Sequence, residues 1–252
     1  MPEFRSRKAL VNPELRRRGI YLLPNLFTTA ALFAGFYAIV QAMTDRFEQA
    51  AVAIFIAMIL DGLDGRVARL TRTQSAFGAE YDSLSDMVSF GVAPALVMFE
   101  WAMKGMGKWG WVSAFVYCAC AALRLARFNT NIEVIDKRFF QGLPSPAAAA
   151  LIAGFVWVLM DLNYAGEEVR WYAWALTIFA GVTMVSNFRY YSGKDINLRR
   201  SVPFIAVLAI VLFFVLLSSY PPGILFALFL CYAFSGYVMA VLDWVRRRKT
   251  PA

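Results

Sequence analysis

From Leu22 to Met43 the chain carries no charged residue, and the run is long enough to cross a hydrocarbon core about 30 Å thick as one helix. Seven further segments read the same way: Phe47 to Leu70, Asp82 to Met103, Trp109 to Leu125, Pro144 to Leu162, Trp171 to Val185, Val202 to Leu217 and Gly223 to Val245. In lipid each backbone amide must be satisfied within its own segment, so such runs fold as helices. The fold class expected is all-α, a polytopic membrane bundle of about eight transmembrane helices. Composition agrees: of 252 residues 60% are hydrophobic and 17% charged, whereas soluble domains carry about 25% charge. No cleavable signal peptide is expected, because the polar start leads into a long apolar segment without a small-residue cleavage pattern. Three cysteines in apolar surroundings, Cys118, Cys120 and Cys231, make no disulfide framework.

A net charge of +8 raises the question of nucleic acid, but the position of the charges answers it. Arg5, Arg7, Lys8, Arg16, Arg17 and Arg18 precede the first span. Arg66, Arg69 and Arg72 lie at and just beyond the end of the second, and Arg124, Arg127, Lys137 and Arg138 at and beyond the end of the fourth. Arg189, Lys194, Arg199 and Arg200 follow the sixth, and Arg246, Arg247, Arg248 and Lys249 follow the eighth. With the amino terminus in the cytoplasm, all of these fall on that side and only Arg46, Lys104, Lys108 and Arg170 fall outside, as the positive-inside rule requires. No nucleic-acid partner is expected. The chain divides into a basic cytoplasmic arm over 1–20, whose helix is expected to lie between Pro13 and Gly19, a transmembrane core over 21–187, two carboxy-terminal helices over 188–245 and a basic tail over 246–252. The arm either lies on the anionic leaflet or is a solvated tail. Trp101, Trp109, Trp111, Trp171, Trp174 and Trp244 read as an aromatic belt.

Within this apolar sequence Asp61, Asp64, Asp82 and Asp86 stand out. At about 100° per residue, Asp61, Asp64, Gly65, Ala68 and Arg69 share one helical stripe, and Gly78, Asp82 and Asp86 share another. Two helices joined by a short turn would aim four carboxylates into one space, with Gly65 and Gly78 leaving room for a ligand. Clustered carboxylates away from water need a positive partner. The chain has no histidine, so an oxygen-only cluster points to a hard divalent cation, Mg²⁺ or Mn²⁺, of the kind that also holds substrate phosphates. A salt-bridge network with Arg66, Arg69 and Arg72 is the alternative, less favoured for four acids on matched faces inside membrane-spanning segments.

The spacing D-x2-D-G-x2-A-R-x8-G-x3-D-x3-D is met at Asp61, Asp64, Gly65, Ala68, Arg69, Gly78, Asp82 and Asp86, and it resembles the signature of the CDP-alcohol phosphatidyltransferase family. Leu23-Pro24-Asn25-Leu26-Phe27-Thr28, Arg124-Leu-Ala-Arg127-Phe128-Asn129 and Gly142-Leu-Pro144-Ser-Pro146 are similar to the bacterial membrane-integral phosphatidylserine synthases within it. The resemblance runs from about Leu22 to Pro146 and implies transfer of the phosphatidyl group of CDP-diacylglycerol to the hydroxyl of L-serine, giving phosphatidylserine and CMP. It implies Asp61, Asp64, Asp82 and Asp86 as metal ligands and Asp86 also as general base. Asp64, Gly65, Ala68, Arg69, Gly78, Asn25 and Thr28 are implied for CDP-diacylglycerol, and Arg124, Arg127 and Asn129 for the acceptor. A homodimer in the bacterial inner membrane, with its active site on the cytoplasmic side, is the expected setting. Asp86 is expected to be the outermost carboxylate of its stripe, with most room for the acceptor.

Other readings stay open from the residues themselves. Arg124 and Arg127 serve either as positive-inside charge or as an anion clamp, while Arg189, Tyr190, Tyr191 and Lys194 read as an interfacial cluster. The acceptor could instead be glycerol 3-phosphate, inositol phosphate or choline. An ion-coupled transporter fits less well, since transporter sites lie near the bilayer midplane and these acids lie near one face. A phospholipase-D-like route needs catalytic histidines and is excluded.

Overall fold

The computed structural model describes residues 13–71, 75–130, 139–192 and 204–249. Each of the expected spans falls on a helix over its described residues, Val202 and Pro203 of the seventh lying outside them. α1 (Pro13–Ala42) and α2 (Phe47–Thr71) form an antiparallel pair closed by a tight turn, in which Asp45 takes the left-handed conformation (φ 58°) and Arg46 N donates to the Gln41 carbonyl at 2.9 Å. A continuous rod follows from Ala76 to Met106, comprising α3 (Ala76–Asp86), a π-helical segment (Met87–Val92), α4 (Ala93–Met98), a second π segment (Phe99–Met103) and a closing 3₁₀ turn (Lys104–Met106). Then come α5 (Lys108–Thr130), α6 (Ser145–Asp161), α7 (Arg170–Val185), α8 (Phe204–Ser219) and α9 (Pro221–Lys249).

Four helical stretches among the described residues, Pro24–Ala42, Ala76–Met106, Lys108–Thr130 and Pro221–Arg246, are long and apolar enough to cross a membrane on length and composition alone. The 25-residue α2 has the length but carries charge at Asp61, Asp64, Arg66 and Arg69, while α6, α7 and α8 have 16 or 17 residues. The helix expected between Pro13 and Gly19 instead continues into the first span. Proline at the first helical position does not oppose a helix, and one interior glycine costs only about 1 kcal/mol. Pro24 also lies inside α1, where Thr28 Oγ1 approaches its carbonyl at 3.2 Å. The boundary expected at residue 20 therefore falls within α1.

α6 is the axis of the bundle. Ala147, Ala148, Ala149, Ala150, Leu151 and Ile152 are all buried, so the helix is covered around its whole circumference and packs against α2, α7, α9 and the Ala76–Met106 rod. Small residues let membrane helices approach closely enough for dispersion and interhelical hydrogen bonds to hold them. Gly35 shows the effect: a Cβ there would lie 2.5 Å from Ser89 Oγ. The same α1 face accepts two interhelical bonds, Ser85 Oγ to the Thr28 carbonyl and Ser89 Oγ to the Ala31 carbonyl, both at 3.1 Å. A π turn rephases a helix and disturbs its carbonyl ladder. Fully buried Tyr117 answers this by donating its hydroxyl to the Phe90 carbonyl at 3.1 Å.

Two features depart from expectation. A small antiparallel sheet, β1 (Phe139–Gln141) with β2 (Arg189–Tyr191), pairs Phe140 with Tyr190 at one end of an otherwise helical fold. Tyr190, read as interfacial, is fully buried and donates to the Ala233 carbonyl of α9 at 2.7 Å, while Tyr232 Oη of α9 donates to the Tyr191 carbonyl at 3.1 Å. Trp101, read as part of the belt, is buried against Phe155 in the core. Trp109, Trp111, Trp171 and Trp244 are exposed.

Candidate functional site

The site is built where the carboxy-terminal half of α2, the start of α3 and α1 converge. Ser75 caps α3: in an extended conformation (φ −136°), its Oγ accepts the Gly78 amide at 3.0 Å. This fixes the helix start, and α3 then carries Asp82 and Asp86 one turn apart along the same side. Because α2 and α3 run in opposite directions, the acids meet as two rungs. Asp64 and Asp82 interact through their side chains, and so do Asp61 and Asp86.

Ligand oxygens of Asp61, Asp64 and Asp82 all lie within 4.8 Å of one another. Thr28 Oγ1 donates to Asp64 Oδ2 at 2.7 Å, which orients one carboxylate from α1. Asp82 Oδ1 is buried and has no hydrogen-bond partner. An orphaned carboxylate oxygen inside a triad of hard oxygen donors fits a divalent cation: it supplies the charge and the ligand that the triad lacks. The alternative ion-pair network does not form among the described residues, where Arg66 and Arg69 are exposed and neither is joined to these aspartates by a salt bridge; Arg72 lies outside the described residues.

Beside the triad opens a cleft of about 340 Å³. Asn25 and Thr28 line it from α1, Asp64, Gly65 and Ala68 from α2, and Gly78 and Asp82 from α3, so seven residues picked out by motif share one wall. A Cβ on Gly65 would meet nothing within 4 Å, so this glycine leaves the floor of the cleft open. Gly78 acts differently from the expectation. A Cβ there would sit 3.1 Å from Ser75 Oγ and 3.5 Å from Asn25 Oδ1, so its smallness admits the cap and the neighbouring helix. Pro24, Ser75 and Ala79 complete the lining; Pro24 stands in the Leu23 to Thr28 motif without a site role attached to it, and the Ser75 cap has a signal in a serine three residues before Gly78 and just ahead of a helical stripe. Arg69 is exposed on the last turn of α2, outside this lining.

Two expectations change. Asp86, expected outermost, ends α3 and leads into the π segment; it does not line the cleft, and its charged neighbours are Asp61, Asp82 and Arg124. It sits one turn further along the rod than Asp82, and so deeper. Arg127, expected to face the acceptor, is a backbone clamp. Its Nη1 donates to the Val185 carbonyl at 3.1 Å and to Asn187 Oδ1 at 3.2 Å, and its Nη2 to the carbonyls of Gln141, Met184 and Ser186 at 3.1 to 3.4 Å. The end of α7 leaves carbonyls without helical partners, and this fork collects them. Gly142 shares the junction: with φ +74°, any Cβ there would collide with the Met184 carbonyl. Asn129 Nδ2 donates to Ser83 Oγ at 3.0 Å, tying the end of α5 to α3 beside Asp82. Arg124 is buried, with 8% of its surface exposed, and its Nη1 donates to Ser145 Oγ.

Residues 21–185 match the family model described as CDP-alcohol phosphatidyltransferase, from the first span to the end of α7. The chain belongs to the CDP-alcohol phosphatidyltransferase family. It is a membrane protein of that helical fold. Among curated relatives, a Helicobacter pylori protein named CDP-diacylglycerol–serine O-phosphatidyltransferase is 40% identical over 181 residues, which cover 71% of this chain and 75% of that protein. Proteins of the same name from Mycobacterium tuberculosis (40% over 165 residues, 62% of this chain and 57% of the relative) and Methanocaldococcus jannaschii (41% over 137 residues, 54% and 61%) are also similar. The family match contains all four aspartates and Arg124, and leaves α8 and α9 outside it.

Proposed function

We propose that this protein transfers the phosphatidyl group of CDP-diacylglycerol to the hydroxyl of L-serine, releasing CMP, on the cytoplasmic side of a bacterial inner membrane. The observation that carries the reading is the triad Asp61, Asp64 and Asp82 with an orphaned Asp82 oxygen on the wall of the cleft. The name shared by its relatives supports the donor and the acceptor. The distribution of basic residues supports the cytoplasmic side, and a homodimer is the assembly implied by the family resemblance.

Asp61, Asp64 and Asp82, with Asp86, would hold Mg²⁺ or Mn²⁺, which when bound supplies charge neutralisation for the pyrophosphate. Asn25, Thr28, Gly65, Ala68 and Gly78 form the wall against which nucleotide and pyrophosphate lie, and Arg69, next to Ala68 on the exposed last turn of α2, is the donor that the family resemblance implies for a phosphate oxygen. Asp86 takes the hydroxyl proton as the serine oxygen bonds to the β-phosphorus; the bond from that phosphorus to the bridging oxygen breaks, and CMP leaves with the electron pair. Arg124 and Asn129 border the acceptor side of the aspartates. The test is purified protein in lipid nanodiscs with CDP-diacylglycerol, Mg²⁺ or Mn²⁺ and radiolabelled serine, glycerol 3-phosphate, inositol phosphate or choline. Phosphatidylserine and CMP are the expected products; label entering lipid only from another alcohol overturns the acceptor.

A further inference from the structure

Away from the aspartates, a second polar cavity of about 310 Å³ opens where β2 meets the end of α9. Its wall carries one charge of each sign, Arg189 from β2 and Asp243 from the last two turns of α9, with Asn187 and Trp244 beside them. Both charged residues are exposed, and no salt bridge among the described residues joins them. Asn187 accepts from Arg127 Nη1 through its Oδ1 at 3.2 Å, and its amide nitrogen supplies donors. Phe188, Ala240 and Trp244 line this cavity and also a neighbouring apolar one of about 360 Å³, which Tyr237 and Val241 complete toward the middle of α9.

A charged mouth that shares a wall with an apolar slot has the form of a seat for an amphiphile. Its level suits a bilayer surface: Trp244 is exposed, and Arg246, Arg247, Arg248 and Lys249 follow it in the sequence, an order of side chains found where a helix leaves the membrane. The charges define the headgroup. A purely anionic one would meet Asp243 as a like charge, and a purely cationic one would meet Arg189 in the same way. A headgroup with both a phosphate and a primary ammonium matches the pair, because a guanidinium fork holds phosphate oxygens while an ammonium pairs with a carboxylate and lies against an indole face.

We propose that the two cavities form a second lipid site, which takes a zwitterionic phospholipid with its phosphate at Arg189, its ammonium between Asp243 and Trp244, and an acyl chain in the slot lined by Phe188, Tyr237 and Val241. The site shares no lining residue with the aspartate cleft, and it is built from residues beyond the family match. It is nevertheless joined to the same end of the bundle: Asn187 is held by Arg127 of α5, and Asn129 of α5 donates to Ser83 beside Asp82.

The experiment titrates the purified full chain in detergent with phosphatidylethanolamine or phosphatidylglycerol of matched acyl chains and counts bound lipid by native mass spectrometry. Phosphatidylethanolamine is expected to bind roughly fivefold or more tightly than phosphatidylglycerol, about what one charge contact at an exposed site contributes. Asp243→Asn should bring the two lipids to within about twofold, and Arg189→Gln should weaken phosphatidylethanolamine by about fivefold. Both positions are exposed, so neither change removes core packing. In a parallel measurement, phosphatidylethanolamine with brominated acyl chains should quench tryptophan fluorescence, and Trp244→Phe should remove a component of that quenching. Equal binding of the two lipids by the parent, variants that keep the parental preference, or quenching unchanged in Trp244→Phe would each overturn the site and leave only lipid that coats the helices without selection.

Discussion

Thr28 and Asp64, 36 residues apart, are joined by a 2.7 Å hydrogen bond that runs from α1 to the carboxylate rungs. The bond is buried, and it makes the first helix part of the site although α1 carries no acid there. A hydroxyl that orients a metal-binding carboxylate acts through that carboxylate, and removing such a partner typically costs about 10- to 100-fold in metal affinity or activity. Thr28→Val keeps the shape and removes the donor. It should raise the Mn²⁺ concentration giving half-maximal activity by about tenfold or more, with saturating Mn²⁺ restoring much of the rate. An unchanged metal titration would reduce Thr28 to a packing residue.

Removal of the metal gives the second prediction. Asp61, Asp64 and Asp82 converge within 4.8 Å with no basic side chain bridging them among the described residues, so pyrophosphate cannot approach them without intervening cations. Excess EDTA is expected to abolish lipid product, and Mg²⁺ or Mn²⁺ added back to restore it. Full turnover in chelator would remove the cation from the site.

Arg127 gives a prediction about stability. Its two terminal nitrogens reach four backbone carbonyls and the Asn187 side chain, binding the end of α5 to the end of α7 and to β1. Hydrogen bonds from a charged donor contribute about 1.5–3 kcal/mol each when their partner is otherwise left unsatisfied, so Arg127→Gln should lower the melting temperature of the protein in nanodiscs by several degrees. The KM for serine in the surviving folded fraction should stay near the parental value. A thermally unaltered variant with a raised KM would return Arg127 to the acceptor side.

The sequence reached the aspartates because four acids at helical spacing within apolar segments have few bland explanations, and it reached the helices because lipid leaves the backbone so little choice. Asn25, Thr28, Gly65 and Ala68 came through the motif and do share the cleft. What escaped were relations that need the third dimension. The clamp at Arg127 depends on where α7 ends, 58 residues later, and the Arg124–Ser145 contact on how α6 enters the bundle. The β1–β2 pair joins segments 50 residues apart, each only three residues long and too short to show alternation. Asp86 was placed at the wrong end of its stripe because spacing gives a face without saying which end is the mouth.

That correction sharpens the remaining prediction. Asp86 lies outside both the tight triad and the cleft lining, beside Asp61 and Arg124. A group whose main task is ligation would be expected among the convergent oxygens; one whose task is to take a proton belongs beside the acceptor hydroxyl. Asp86→Asn keeps size and one acceptor oxygen but cannot take the proton, so kcat should fall by about 10² to 10⁴ while CDP-diacylglycerol affinity stays close to parental and Mn²⁺ affinity falls less than in Asp61→Asn. Asp61→Asn, which removes a member of the triad, should weaken both affinities. Higher pH should not rescue Asp86→Asn, because the serine hydroxyl is too weak an acid to ionise unaided. Recovery of the parental rate in Asp86→Asn by added Mn²⁺ would show that Asp86 is a ligand first, and the proton would then need another acceptor.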